Sequence, residues 1–157
     1  MSASMVPIEV ATYAAGLIDG EGYIGVSVAK PGGPRITPSY RIRVKIAMCE
    51  RGAIDYMMEQ FGGTHIYNQR RSNPKHRPLL EWTVTGGRAA LLLASVEPHL
   101  KVKRKQAQLA LELFRRVKAT KTTPKRGQRG IQRTALDEIV VRTALWQEIK
   151  RLNTRGL

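Results

Sequence analysis

The chain has 157 residues, 42% of them hydrophobic, and carries 27 Lys and Arg against 12 Asp and Glu, a formal net charge of +15. That length builds one domain, 1–157, with a real core, and so large a positive excess points away from an ordinary metabolic enzyme and toward a polyanionic partner. The longest apolar stretch, Ala89 to Ala94, is too short to cross a bilayer, no export signal opens the chain, and the lone Cys49 excludes an internal disulfide framework; the expectation is an intracellular nucleic-acid binder with no membrane partner.

The first element is a helix in which Ile8, Val10, Ala11, Ala14, Ala15, Leu17 and Ile18 leave little polar surface, so it is expected to be buried on most sides, with Pro7 in its first turn. Gly16 and Gly20 stand four apart on one helix face, where missing side chains allow a second helix to come close. Gly20 and Gly22 then end the helix and open a strand, holding Glu21 between them.

Tyr23 to Lys30 alternates Ile24, Val26 and Val28 with small residues, the period of a strand with one buried face. After a Pro-Gly turn at 31–34, Tyr40 to Met48 alternates Ile42, Val44 and Ile46 with Arg41, Arg43 and Lys45. One face of that strand belongs to a core and the other lines up three cations.

A short helix is predicted over Ala53 to Phe61, stopped by Gly62 and Gly63. Strands follow at His65 to Arg71 and Leu80 to Thr85, separated by a basic, turn-rich loop at Ser72 to Pro78. A helix from Arg88 to Val96 is cut off by Pro98. The next, Lys103 to Lys118, has a stripe of Ala107, Ala110, Leu111, Phe114 and Val117. Residues 119–133 combine Pro, Gly and basic residues with almost no apolar content, which predicts a mobile basic loop. The last helix, Thr134 to Leu152, is expected to bury Leu136, Ile139, Val140, Trp146 and Ile149. The fold class is α+β: an αββαββα core with a four-stranded antiparallel sheet covered on one face.

Two segments carry a resemblance. Ala14-Ala15-Gly16-Leu17-Ile18-Asp19-Gly20-Glu21-Gly22 resembles the LAGLIDADG signature of homing endonucleases. Pro98-His99-Leu100-Lys101-Val102-Lys103-Arg104-Lys105-Gln106-Ala107 is similar to the basic segment that opens a late helix in the same family, and the likeness runs along nearly the whole chain. It implies a site-specific, metal-dependent double-strand DNA endonuclease that leaves short 3′ overhangs and is encoded in an intron or intein. A single signature copy implies a homodimer, paired through Thr12, Ala15, Gly16, Asp19 and Gly20.

The resemblance also assigns roles. Glu21 matches the metal-binding acid, although the family has Asp there, and Ala14 replaces the first Leu. The Gly20 carbonyl is a second metal ligand, Lys103 a basic group near the scissile phosphate, and Arg51 a candidate for ordering solvent. The implied cofactor is Mg²⁺, on the order of two or three ions shared by the dimer, with Mn²⁺ able to substitute. His65, His76 and His99 show no spacing for zinc or a triad.

The outward face of the sheet is expected in the major groove, with Ser27, Arg41, Arg43, Lys45, Tyr67, Gln69, Arg71, Glu81 and Thr83 toward base edges and Arg35, Lys75 and Arg77 gripping phosphates. Three like charges on one strand face are unfavourable alone and are relieved by an anionic partner. Two alternatives stay open: a non-cleaving protein of the same fold, acting as an RNA-splicing maturase or a DNA-binding regulator, and a basic RNA-binding protein whose signature is accidental packing.

Overall fold

Helix α1, Ile8–Glu21, passes directly into strand β1, Gly22–Ala29. No loop intervenes because Gly22 lets the strand leave along the helix's last turn: a Cβ there would lie 2.7 Å from both the Cα and the carbonyl oxygen of Ile18. At the other end Pro7 sits just before the helix, not in its first turn, with its carbonyl accepting from the Ala11 amide at 3.0 Å.

The computed structural model describes residues 5–33, 36–68, 75, 77–120 and 134–154. After β1 come β2 (Ser39–Met48), α2 (Arg51–Phe61), β3 (Thr64–Asn68), β4 (Leu79–Thr85), α3 (Gly86–Val96), a 3₁₀ turn (Glu97–His99), α4 (Arg104–Ala119) and α5 (Leu136–Asn153). The strands form one antiparallel sheet in the order β1-β2-β4-β3. This is the predicted α+β order. Of the basic loop at 119–133, residues 121–133 lie outside the described part.

The alternation in β1, β2 and β4 sorts the sheet into two faces. Ile24, Ile42, Val44, Ile46, Trp82 and Val84 are buried and meet Ile18 of α1, Ile54 and Met57 of α2, Leu92 and Leu93 of α3, Leu113 of α4 and Ile149 of α5 in one core cluster. Burying side chains of this size stabilises by roughly 1.5–3 kcal/mol each. Trp82 also needs a partner for its ring N–H, and donates at 2.8 Å to the carbonyl of Gly62. Gly62 and Gly63 form that turn with φ of +69° and +96°, which glycine tolerates best.

Three expectations change. Helix α1 buries one side only, Ala11, Ala14, Ala15 and Ile18, while Ile8, Thr12, Tyr13, Gly16 and Gly20 are exposed. In α5, Ile149 is buried, but Leu136 and Val140 are exposed at 74% and 68%. The residue that turns inward there is Arg142, satisfied by Glu138 at 3.1 Å, the Arg116 carbonyl at 3.4 Å and the Thr120 hydroxyl. In β3, the edge strand, Thr64 to Tyr67 are all exposed.

The helix-to-strand junction gives a direct test. Gly22→Ala should lower the unfolding free energy in urea by about 1–3 kcal/mol, since the new methyl meets backbone that cannot yield; an unchanged midpoint would contradict the close approach.

Candidate metal and nucleic-acid site

The site begins at the last turn of α1, whose final carbonyls need donors beyond the Gly22 N–H, which reaches Ile18 alone. Lys103, the residue that caps the start of α4, supplies them: its ammonium donates to the carbonyls of Ile18 at 2.8 Å and Asp19 at 2.7 Å. A cation at a helix C-terminus also meets the favourable end of the dipole. In return the Asp19 carboxylate accepts the backbone N–H groups of Lys101 at 2.7 Å, Lys103 at 3.0 Å and Val102 at 3.3 Å. Two segments far apart in the chain are thus clasped through both a side chain and the backbone of the donating segment.

Burial pulls the Lys103 ammonium below the ordinary lysine pKa, and the nearby Asp19 and Glu21 carboxylates work against that fall. Lys103 is therefore held beside Glu21 by backbone carbonyls instead of standing free. Asp19 spends its carboxylate on backbone N–H groups of its own protomer. The clasp itself was invisible in the sequence, where both residues were found but not their mutual partners.

Glu21 is exposed at the tip of α1 and shares a shallow depression on the outer face of the sheet with Tyr23, Arg43, Lys45, Ala47 and Glu81. Strand register continues this surface. Ser27 stands opposite Arg41, Gly25 opposite Arg43, Arg43 opposite Thr85, Lys45 between Tyr23 and Thr83, and Glu81 between Ala47 and Ile66. Six residues predicted as readers, Ser27, Arg41, Arg43, Lys45, Glu81 and Thr83, are brought onto one face. Lys45 and Glu81 form an ion pair at 2.8 Å.

Tyr67 does not join them. It pairs with Leu80, whose side chain is buried under the helices, so its register places it on the opposite face, and Ile66 takes the outward position beside Glu81. With every described side chain of β3 exposed, its sequence carried no alternation from which to read the parity. Gln69, Arg71 and Arg35 lie outside the described residues. Lys75 is exposed, and Arg77 is exposed and paired with Glu50 at 3.1 Å. Arg51 is exposed at the start of α2 and sits 3.4 Å from Asp55, apart from the residues that line the depression.

One functional candidate was missed. The Tyr23 ring lies under the Arg43 guanidinium, 5.7 Å from carbon to ring centroid, and over Gly25, where a Cβ would be 2.3 Å from the ring edge. A tyrosine followed two residues later by glycine, on the outward register of a strand, was the available signal.

On the far side of α1, Thr12, Gly16 and Gly20 are exposed along one helix face, and a Cβ added at either glycine would meet nothing within 4 Å. Ala15, expected beside them, is 1% exposed and belongs to the protomer's own core. Among the described residues, no three His, Cys, Asp or Glu side chains cluster to hold a metal, and no helix is long and apolar enough to cross a membrane.

This architecture is the LAGLIDADG homing endonuclease fold, with one signature helix in the chain. The chain is similar to the homing endonuclease I-CvuI in complex with its target, at 18% identity and a TM-score of 0.72, over 96% of this chain and 85% of that one. It is similar to the archaeal intron-encoded homing endonuclease I-Vdi141I complexed with DNA, at 14% identity and a TM-score of 0.69, over 94% and 86%. Against the LAGLIDADG homing endonuclease I-GzeII in complex with its DNA target, at 11% identity and a TM-score of 0.57, it covers 92% of itself but 44% of that chain. No protein-family model matches the sequence, and no curated protein does.

The clasp makes a signed prediction about protonation. Because burial lowers the Lys103 pKa, the folded protein binds fewer protons than the unfolded chain in the alkaline window between the two values, so stability rises with pH there. Lysine side-chain NMR should find Lys103 titrating below the solvent-exposed lysines, and lower still in Asp19→Asn, which removes a carboxylate that holds it up; an upward move in that variant would refute the assignment.

Proposed function

We propose that this chain is one half of a site-specific DNA endonuclease of the homing type, a homodimer that cuts both strands of a pseudo-palindromic duplex of roughly 20 base pairs by metal-dependent hydrolysis, leaving short 3′ overhangs. The observation that carries the reading is the position of Glu21: an exposed carboxylate at the tip of α1, directly beside a face lined with Arg41, Arg43 and Lys45. A carboxylate there is the wrong sign for gripping DNA. It is the right group for a divalent cation that DNA also binds.

Pairing through α1 accounts for Gly16 and Gly20. Each glycine inside a helix costs about 0.8–1 kcal/mol relative to alanine, and neither is required by packing within the protomer. A second α1 laid across Thr12, Gly16 and Gly20 would use the missing side chains. It would also bring Glu21 of each copy to a shared centre. The match of nearly this whole chain to under half of I-GzeII supports the same arithmetic.

A single exposed carboxylate fits Mg²⁺, which takes few protein ligands and keeps water and phosphate oxygens. Glu21 and the Gly20 carbonyl would hold it, on the order of two or three ions per dimer, with Mn²⁺ accepted in its place. When bound, such an ion lowers the pKa of water and offsets charge on the phosphate. The chain's own residues do the rest. Lys103 fixes the helix end that carries Glu21 and adds positive charge beside it; Arg41, Arg43 and Lys45 neutralise backbone or meet base edges; Arg51, Lys75 and Arg77 reach phosphates or solvent at the margins.

A non-cleaving protein of the same fold would share the sheet but have no use for Glu21. The distinction is experimental. With Mg²⁺ and a plasmid library of candidate sites, the protein should linearise a subset of molecules. Glu21→Gln should lower that cleavage by at least 10³-fold while leaving the affinity for the same duplex within a few-fold, whereas cutting by the variant at the native rate would end the proposal. Gly16→Leu should leave the protomer folded, because its side chain enters open space, yet shift sedimentation from two chains to one and abolish double-strand cutting.

A further inference from the structure

On the outer face of the sheet Arg43 is set up differently from Arg41 and Lys45. Across the strand from it is Gly25, which contributes no side chain. Tyr23 fills that gap: its ring folds over Gly25 and comes under the Arg43 guanidinium at 5.7 Å, within the range of a cation–π contact. The Arg43 Nε is shut off from solvent and has no acceptor, so one edge of the guanidinium is enclosed and its two terminal amino groups remain for an outside partner. Both side chains border the depression that contains Glu21.

We infer that Tyr23 is a positioning residue for base recognition: stacked between Gly25 and Arg43, it pre-orients the Arg43 guanidinium to read one guanine in the major groove close to the point of cleavage. The inference rests on the proposed DNA-cleaving role of this face. A guanidinium already held over a ring loses less freedom on binding, and its paired N–H groups match the O6 and N7 acceptors of guanine. Lys45, a flexible point charge already paired with Glu81 at 2.8 Å, cannot impose that geometry. Gly25 is part of the device, because a methyl at that position would push the ring away from Arg43.

The test is a binding selection from randomised duplexes, with calcium in place of magnesium, followed by affinities for every single-base change in the selected site. The wild-type protein should prefer guanine at the Arg43 position by roughly tenfold or more. Arg43→Ala, Tyr23→Leu and Gly25→Ala should each erase that preference at the same base-pair position and leave the other positions and the salt dependence of binding unchanged. Tyr23→Phe, which keeps the ring, should retain it.

Loss of preference in Tyr23→Phe would mean that the hydroxyl reads DNA itself and would overturn the inference. So would Tyr23→Leu if it weakened binding uniformly, altered a different position from Arg43→Ala, or changed nothing. If the wild-type protein selects no duplex at all, the proposed function fails and the inference falls with it; a wild type that selects a site while Tyr23→Leu keeps the full profile removes the inference alone.

Discussion

Lys101, Val102 and Lys103, just ahead of α4, donate hydrogen bonds from backbone and side chain to the last turn of α1, where the Asp19 carboxylate and the carbonyls of Ile18 and Asp19 accept them, and the candidate site is built on that clasp. Without it the Asp19 carbonyl and carboxylate would lose these partners in the turn that carries Glu21. The carboxylate takes three backbone N–H groups leading into α4, including that of its N-cap Lys103, while the ammonium takes two carbonyls of the last turn of α1. At a half-buried position such charged hydrogen bonds contribute about 1–3 kcal/mol together. Their larger effect is geometric, because β1 leaves the same helix end without a loop and inherits its position.

From that fixed point the fold separates two duties. The helix-covered face of the sheet supplies the core, and the bare face carries the charge. Arg41, Arg43 and Lys45 alternate with Ile42, Val44 and Ile46 on β2, so the same ten-residue strand serves both. Repulsion along the cationic row is partly offset inside the protomer by Glu81 against Lys45 and by the Tyr23 ring against Arg43. Arg41 takes part in neither of these contacts, and among the described residues the row as a whole remains positive.

Much of this was legible in the sequence where burial and periodicity agree. Strands β1, β2 and β4 each have one face in the core, so alternation gave their span and the side each residue takes, and the Ala14 to Gly22 run located the acidic tip. Where a side chain is exposed on every side, as in Thr64 to Tyr67, alternation is absent and Tyr67 was assigned to the wrong face. Leu136 and Val140 misled because apolar spacing signals burial only if another element covers it, and the inward position in α5 belongs to Arg142, which is held by hydrogen bonds and ion pairing. Lys103 was picked out by resemblance, but its carbonyl partners depend on how two helix ends meet, which no local pattern encodes. The stack of Tyr23 on Arg43 depends likewise on cross-strand register at Gly25.

The central claim is that two copies of this chain meet at their α1 tips on DNA. Cys49 allows it to be tested without introducing a new side chain, since it is exposed, is the chain's single cysteine, and follows the end of β2 shortly after Ala47, which borders the Glu21 depression. A nitroxide placed there can report a dipolar distance only between copies. On its selected duplex the labelled protein should give one narrow, short inter-label distance. A bound complex without dipolar coupling, or one whose labels lie at opposite extremes of the assembly, would contradict the account.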